Sequence, residues 1–223
     1  MTSFSFKGID SVLIVAELSA NHNGSLAIAK ETIKAAKRAG ADAIKLQTYT
    51  SETITLNCNS EDFIIKNKSI WDGMKYSELY QKAHTPWDWH EELFKISKEE
   101  DILCFSSPFD KSAVDLLEDL GNPIYKIASF EITDIPLIKY IASKNKPIIL
   151  STGIADTEDI DLALKTIRGN GNCEIALLKG VSSYPAKISE SNLSMIPYFS
   201  KKYNVVHNKK FTLSPEFIVF NSS

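Results

Sequence analysis

The sequence predicts an α/β fold of the TIM, or (β/α)8, barrel type, incomplete, with about six βα units recognisable. Short apolar runs alternate strictly with amphipathic stretches along the chain. Because these runs are apolar at nearly every position, both faces of each strand are expected to be buried, as in a parallel sheet covered by helices. Almost every run ends in polar or ionisable residues, and barrel enzymes place their sites at the carboxyl ends of the strands.

The predicted strands and helices alternate in order along the chain. The strands are Val12–Ala16, Ala43–Gln47, Ile102–Ser106, Ile124–Ala128, Pro147–Ser151 and Glu174–Lys179. The helices, whose apolar residues recur at helical spacing, are Ser25–Arg38, Trp87–Glu100, Ser112–Leu120, Ile135–Ser143 and Thr157–Ile167. We expect Thr157 to cap the last of these helices and Gly169 to lie beyond its end. Residues 48–85 show no clean period and are predicted to form a long connection.

A doubly wound open sheet is the competing architecture. Neither the dinucleotide-binding pattern G-x-G-x-x-G nor the P-loop pattern occurs in the sequence. Their absence weakens a nucleotide-binding interpretation, while a flavodoxin-like sheet stays open at this point.

Composition and charge exclude several classes of protein. The 223 residues carry a net charge of −3, and 43% of them are apolar. That apolar content suffices for a core and excludes a disordered chain, and the charge excludes nucleic-acid binding through bulk positive charge. Three cysteines are too few for a disulfide scaffold. The first apolar run is far shorter than the roughly 20 residues of a membrane span and lacks a cationic leader, so we expect a cytoplasmic protein with no membrane or nucleic-acid partner.

Three lysines, Lys45, Lys126 and Lys179, lie within predicted apolar strands. A buried lysine needs a partner, and an anionic substrate such as a phosphate or a carboxylate would satisfy two of them together. Two alternatives stay open: a Schiff base with a carbonyl substrate, and internal pairing with Glu17 and Glu131. Hydroxyl groups that could bind phosphate oxygens follow the same strands at Ser106, Ser107, Ser129 and Ser151.

The end of the first strand supplies a second group of candidates, Glu17, Asn21 and His22. A carboxylate among lysines can act as a base, accept a hydrogen bond from a sugar hydroxyl or bind a metal. His22 could be a ligand, an acid or a hydrogen-bond donor. The sequence contains no histidine pair at zinc-binding spacing and no arrangement that spacing identifies as a Ser–His or Cys–His pair.

Six motifs, taken in order, resemble those of the sialic acid synthase family. They are Val15–Gly24, Ala39–Thr48, Phe105–Phe109, Tyr125–Ser129 with Glu131, Ser151–Gly153 and Ser183–Pro185. The resemblance is greatest to the pseudaminic acid synthase branch, which shares Asp62–Lys66, Leu79–Tyr80, Thr85–Trp87 and the stretch Cys104–Asp115.

The resemblance implies a barrel enzyme that condenses phosphoenolpyruvate with an N-acetylated sugar and releases phosphate. The product would be a nine-carbon keto-sugar acid of the pseudaminic or N-acetylneuraminic type. The acceptor would be a 6-deoxy-2,4-diacetamido hexose in the pseudaminic branch and N-acetylmannosamine in the sialic branch. The family is homodimeric and uses a divalent metal, Mn²⁺ or Mg²⁺.

The resemblance also implies roles for individual residues, and it moves the lysines away from Schiff-base chemistry. Lys45, Ser107, Lys126 and Ser129 resemble the phosphoenolpyruvate contacts, whereas Glu17, Ser182 and Tyr184 resemble the sugar contacts, and Glu131 a carboxylate near the reacting carbon. The catalytic residues are therefore predicted to be Glu17, Glu131 and Lys126. The substrate-binding residues are predicted to be Lys45, Gln47, Ser107, Ser129, Ser182, Tyr184, Asn21 and His22.

The sequence departs from the family pattern towards its end. Gly180-Val181-Ser182 stands where the family has Cys-Thr-Ser, and the two histidine motifs that hold the metal are not found after Asn204. Five strand-to-strand steps cover 162 residues, from 12 to 174, so two further units would need more chain than remains. We therefore expect residues 1–223 to form one truncated barrel without metal ligands or the family's C-terminal antifreeze-like domain. Its strand edges would be exposed, making it poorly soluble unless a partner covers them, and an inactive remnant that at most binds phosphoenolpyruvate stays an alternative.

Overall fold

A six-stranded parallel sheet forms the centre of the molecule. The computed structural model describes residues 4–6, 13–66, 70–171, 174–181 and 187–203. The strands are β1 (Val15–Glu17), β2 (Ala43–Thr48), β3 (Leu103–Pro108), β4 (Tyr125–Ile127), β5 (Ile148–Ser151) and β6 (Ile175–Leu178). They pair in sequential order, β1-β2-β3-β4-β5-β6, and every neighbouring pair is parallel.

Sequential strand order identifies the fold class. A doubly wound sheet needs a point at which the strand order reverses, and no such point exists among the described strands. Right-handed crossovers between strands that follow in order place every connecting helix on the same face of the sheet, so the sheet curls towards its bare face. The prediction of an incomplete TIM-type barrel is confirmed, and the open-sheet alternative is excluded.

The structure describes eight helices, and all except the second and third, which lie in the connection after β2, cover one face of this sheet. They are α1 (Leu26–Arg38), α2 (Ser51–Ile54), α3 (Tyr76–Ala83), α4 (His90–Glu99), α5 (Lys111–Asp119), α6 (Ile135–Ala142), α7 (Thr157–Asn170) and α8 (Met195–Tyr203). In the part of the chain that the structure describes, no helix has the length and apolar character that crossing a bilayer requires.

The start and end of α7 differ from the sequence prediction. Asp156, not Thr157, is the N-cap, because one of its carboxylate oxygens accepts the backbone N–H groups of Glu158 and Asp159 at 2.8 and 2.9 Å. The Asp159 carboxylate accepts the Asp156 N–H in return, which completes a capping box. Gly169 lies inside the helix, which continues to Asn170.

The long connection between β2 and α4 contains structure that the sequence analysis missed. It holds α2, which is capped by a box between Thr50 and Thr53, and α3, which packs against α2. Ile64 and Lys75 form an isolated antiparallel bridge between these helices. The four residues of α2 make a single turn, which is too short to show a helical period. Helix α3 is as long as the correctly predicted α6, so length does not explain why it was missed.

Alternating strand residues divide the apolar core into two faces. Side chains such as Ile44, Leu46, Ile127 and Leu150 pack under the helices. The intervening residues point to the bare face, where Ala43, Phe105, Ile124, Ile149 and Ala176 form a separate cluster with Phe6. This period of two is the geometry of extended strands, and it makes the bare face the inner face of the barrel.

A short N-terminal segment closes the amino end of the inner face. Phe6 is fully buried in the inner cluster. Its backbone N–H donates to the Glu174 carboxylate at 2.6 Å, and the Ser5 hydroxyl donates to the same group at 2.8 Å. Since Glu174 immediately precedes β6, this contact holds the N-terminal segment as a plug at the amino ends of the strands. The carboxyl ends are left open.

Candidate active site

Five of the predicted site residues lie together at the carboxyl end of the inner face. Glu17 pairs in register with Lys45, and Gln47 pairs with Ser107. Ser106 pairs with Tyr125, so the register places Lys126 beside Ser107. Strand alternation puts these side chains on the same face as the inner apolar cluster, where they form two polar rows, Glu17 with Lys45 and Gln47 with Ser107 and Lys126. Lys45 and Lys126 lie in register with Phe105 and Ile149 of that cluster.

Glu17 and Lys45 form a buried ion pair. The Lys45 Nζ lies 2.8 Å from the Glu17 Oε2, and the two side chains are only 6% and 13% exposed, respectively. Burial alone would raise the pKa of Glu17. The charges of Lys45 and Lys126, with hydrogen bonds from Lys45 and Ser19, outweigh it and hold the pKa below its usual value. Glu17 is therefore ionised, and internal pairing is realised for Lys45.

Lys126 gives the group an excess of positive charge. It is only 3% exposed, and its charge acts on both Glu17 and Glu131. Glu17 at −1 and Lys45 at +1 cancel, so the three buried groups sum to +1 with Lys126. A buried site with a net positive charge attracts an anion.

Two polar atoms near these lysines lack partners. The Ser107 side chain is 1% exposed, and its hydroxyl oxygen has no hydrogen-bond partner among the described residues. The same holds for one carboxylate oxygen of Glu131. A buried polar group left unsatisfied costs about 1–3 kcal/mol. Both atoms are therefore suited to bind a polar ligand.

Ser129 and Glu131 lie just beyond β4, at a single turn of 3₁₀ helix (Phe130–Thr133). The Ser129 hydroxyl oxygen accepts the Gly153 N–H at 3.2 Å, which joins the ends of β4 and β5 and leaves the hydroxyl hydrogen able to donate. Burial raises the pKa of Glu131, and the positive charge of Lys126 only partly opposes this. Glu131 is therefore able to hold a proton at a higher pH than an ordinary glutamate.

Asn21 and His22 do not join this group. Asn21 is exposed, and its side-chain amide donates to the Leu18 carbonyl at 3.0 Å. The His22 ring is buried with its edge against Trp89, at 5.4 Å between centroids, and its Nδ1 accepts the Gly24 N–H. Burial lowers the pKa of His22, and nearby His84 lowers it further. These contacts place His22 against Trp89, whereas its buried Nε2 has no hydrogen-bond partner among the described residues, so its substrate-binding role stays a prediction.

The remaining predicted residues have different outcomes. Ser182 and Tyr184 lie outside the described residues, so their predicted sugar-binding roles stay predictions. Lys179 follows β6 instead of lying within it, and its ammonium group donates to the Gly180 carbonyl. Because Leu178 packs with the inner cluster, alternation directs Lys179 away from the site.

An aromatic group beside the polar rows escaped the sequence analysis. The rings of Tyr49 and Phe109 are 5.4 Å apart, and those of Tyr49 and Tyr80 are 5.7 Å apart. Burial, and to a smaller extent the charge of the neighbouring Tyr80, raises the pKa of Tyr49 to about 12. The sequence contains a signal for this group, because every second residue of a strand points to the same face. Tyr49 follows Lys45 and Gln47 in this spacing, and Phe109 follows Phe105 and Ser107.

The sequence analysis also missed a chain of buried hydrogen bonds on the helical side of the sheet, opposite the site. The Thr48 hydroxyl lies 2.9 Å from the His90 Nε2 and 2.7 Å from the Ser106 hydroxyl. The His90 Nδ1 lies 3.2 Å from the Pro86 carbonyl, which can only accept, so the neutral ring donates there and accepts from Thr48. This buried chain of hydrogen bonds joins β2, β3 and α4 on the helical side of the sheet.

The described residues do not supply a set of metal ligands. Nowhere in the ranges that the structure covers do three His, Cys, Asp or Glu residues form a group able to hold a metal ion. Glu17, the best-placed carboxylate, is already paired with Lys45. A divalent metal therefore does not fit these described residues alone.

Comparison with curated proteins shows extensive similarity. Residues 32–208 match the sequence profile of the NeuB family. The pseudaminic acid synthase of Campylobacter jejuni is 48% identical over 194 residues, covering 87% of this chain and 56% of the relative. That of Helicobacter pylori is 50% identical over 202 residues, covering 90% and 58%. The chain thus spans a little over half the length of these relatives.

Solved structures share the fold. The N-acetylneuraminic acid synthetase of Leptospira borgpetersenii, solved in complex with citrate, superposes with a TM-score of 0.76 at 31% identity, covering 94% of this chain and 67% of that one. A truncated 3-deoxy-D-arabino-heptulosonate 7-phosphate synthase from Thermotoga maritima gives a TM-score of 0.62 over 90% of this chain and 65% of that one. At 14% identity the latter supports the barrel fold alone.

Proposed function

Because the chain belongs to the NeuB family, we propose that it condenses phosphoenolpyruvate with an N-acetylated amino sugar, releasing phosphate. The product would be a nine-carbon sialic-acid-like keto-sugar acid. The named relatives with the greatest similarity described above are pseudaminic acid synthases, which favours a diacetamido acceptor of the pseudaminic type.

One observation carries this proposal: Lys126, the Glu17–Lys45 pair and the unpartnered Ser107 hydroxyl converge at the open end of the barrel. Phosphoenolpyruvate carries a carboxylate and a phosphate. Lys126, together with Lys45 that is also paired with Glu17, offsets part of this negative charge, while the hydroxyls of Ser107 and Ser129 donate to its oxygens. Charge-assisted hydrogen bonds of this kind are shorter and stronger than neutral ones.

Glu17 and Glu131 have different roles in the condensation reaction. The terminal carbon of phosphoenolpyruvate attacks the sugar aldehyde, water adds to the resulting cation, and phosphate leaves when the C–O bond to it breaks. Glu17, which its lysine neighbours keep ionised, accepts a hydrogen bond from a sugar hydroxyl. Glu131, whose pKa burial raises, holds the proton that the aldehyde oxygen takes up on becoming a hydroxyl.

Calorimetric titration with phosphoenolpyruvate tests the anion site. The Lys126→Met variant is expected to bind at least about tenfold more weakly than the unsubstituted chain, because a charge-assisted hydrogen bond of about 1.5–3 kcal/mol is lost. Lys30→Met is the matched control, since Lys30 pairs with Glu92 on the outer helices, at 2.7 Å. A folded chain with no measurable affinity for phosphoenolpyruvate would refute the proposal.

Phosphate release then separates the two versions of the function. The assay contains phosphoenolpyruvate, the diacetamido sugar and Mn²⁺. Turnover supports the synthase, whereas binding without turnover supports the alternative, a chain that binds phosphoenolpyruvate and does not condense it.

A further inference from the structure

Three aromatic rings meet beside the open end of the barrel. Tyr49 follows the last residue of β2, Phe109 follows the last residue of β3, and Tyr80 lies on α3. The Tyr49 ring contacts the other two edge-on, at centroid distances of 5.4 and 5.7 Å. Tyr76 stacks on Tyr80 at 6.4 Å with the ring planes 24° apart, which holds the Tyr80 ring in one orientation.

The register places these rings directly above the polar rows. Thr48 pairs with Pro108, and the Thr48 side chain points to the helical side, where it bonds to His90 and Ser106. The next residue, Tyr49, therefore falls on the inner side, and so does Phe109 after Pro108. Two residues of strand rise about 6.6 Å, so the rings lie one side-chain layer beyond Gln47 and Ser107.

Tyr80 is partly exposed, whereas its neighbour Tyr49 is buried. Burial raises the pKa of Tyr80, and the charges of Tyr76 and Glu131 raise it further. The effect of Glu131, which follows β4, places the accessible Tyr80 ring within electrostatic range of the carboxylates at the open end.

We propose that Tyr80, supported by Tyr49 and Phe109, is a specificity-determining residue that packs its ring against the apolar surface of the acceptor sugar. This inference rests on the proposed function. Phosphoenolpyruvate is small and strongly anionic, and the negative face of an aromatic ring does not attract an anion. An N-acetylated sugar presents C–H groups and acetamido methyl groups, which are the partners that a ring face accepts. The lysines therefore bind the anion below, and the aromatic rings bind the sugar above.

The contact is expected to discriminate between acceptors. Each additional methyl group buried against the ring adds apolar area that leaves water. A diacetamido, 6-deoxy sugar has more such groups than a monoacetamido hexose. Tyr80 consequently favours the more apolar acceptor, and its removal reduces that preference.

Two titrations in sequence test this inference. The protein is first titrated with phosphoenolpyruvate and then, when saturated, with the alditols of N-acetylmannosamine and of the 6-deoxy-2,4-diacetamido hexose. Alditols lack the aldehyde, so no condensation contributes heat. Tyr80→Ala is expected to weaken binding of the diacetamido alditol about tenfold and that of the other alditol less, with phosphoenolpyruvate affinity within twofold of the unsubstituted chain.

The control is Tyr140→Ala, which removes a partly exposed tyrosine on α6 that bonds to Asp115 far from this opening. It is expected to change none of the three affinities. Tyr80→Leu keeps most of the side-chain volume but removes the ring. It serves as a second variant in case Tyr80→Ala disturbs folding. Like Tyr80→Ala, it is expected to weaken only the alditols.

The outcomes separate the inference from the function on which it rests. Failure of the unsubstituted chain to bind phosphoenolpyruvate, seen before any alditol is added, overturns the proposed function and the inference with it. Phosphoenolpyruvate binding with no alditol binding, or with alditol affinities that both Tyr80 variants leave within twofold, overturns the inference alone. Loss of phosphoenolpyruvate binding in both variants would show a structural role and would also overturn it.

Discussion

The Glu17 carboxylate is stabilised in the ionised form at a place where burial disfavours charge. Its pKa is lowered because two lysines outweigh that burial. A carboxyl group whose pKa is lower in the folded state stabilises the fold at a pH above its unfolded-state value, and this contribution is lost as the pH falls through the lower, folded-state pKa. The ion pair with Lys45 therefore makes stability depend on pH below the ordinary value of 4.5.

Glu17→Gln is expected to lower the free energy of unfolding at pH 7 by about 3–5 kcal/mol, the range for breaking a buried pair. Denaturant unfolding at a series of pH values measures this. The variant should also lose the part of the acid dependence below pH 4.5 that belongs to Glu17. Glu92→Gln is the control, because its ion pair with Lys30 is solvent-exposed and screened by salt. Equal effects of the two substitutions would contradict the role assigned to burial.

Helix α7 shows how a cap is selected at the scale of an element. Asp156 and Thr157 are both residue types that cap helices well. Asp156 is the cap because its backbone is extended and its carboxylate reaches two N–H groups of the first turn. Thr157 then enters the helix, and its hydroxyl has no part in the cap.

Asp156→Ala is expected to destabilise the protein by about 1 kcal/mol, as the loss of an N-cap does. Thr157→Ala should change the unfolding free energy by less than about 0.5 kcal/mol, the usual range for a surface substitution. Urea denaturation midpoints of the two variants decide between the residues. A larger loss for Thr157→Ala would restore the cap predicted from sequence.

The whole molecule depends on contacts between residues far apart in the chain. Phe6 fills the amino end of the barrel among side chains from β2, β5 and β6, and Glu174 binds the segment from 168 residues away. This N-terminal segment closes the amino end of the inner face and, among the described residues, leaves the carboxyl end beside the lysines open to a ligand. The expected extent of the domain, residues 1–223, stays a prediction.

Phe6→Ala is expected to cost about 3–5 kcal/mol of unfolding free energy, because it leaves a cavity in the inner cluster. Phe130→Ala, at a residue that is 66% exposed, is the control and should cost little. Thermal and denaturant unfolding compare the two. A stability for Phe6→Ala equal to that of the control would show that the N-terminal segment does not act as a plug.

Prediction from sequence succeeded where the pattern is local. Continuous apolar runs and their polar ends located all six strands and brought Glu17, Lys45, Gln47, Ser107 and Lys126 to one place. For His22, whose position after β1 suggested the site, the structure shows a ring packed against Trp89, and its substrate-binding role stays a prediction. A residue in a loop has no period that fixes its direction, so only the packed neighbours decide where its side chain lies.

The fold class and the order of the elements follow from the sequence alone, as do the residue types at the strand ends, because alternation and continuous apolarity are properties of neighbouring residues. Four features are visible only in the folded chain: the strand register, the Glu17–Lys45 pair, the closure by Phe6, and the meeting of Tyr49, Phe109 and Tyr80. Each of these joins segments separated by long stretches of chain. Their geometry is set when the curled sheet and its helices pack together, and no local pattern encodes that step.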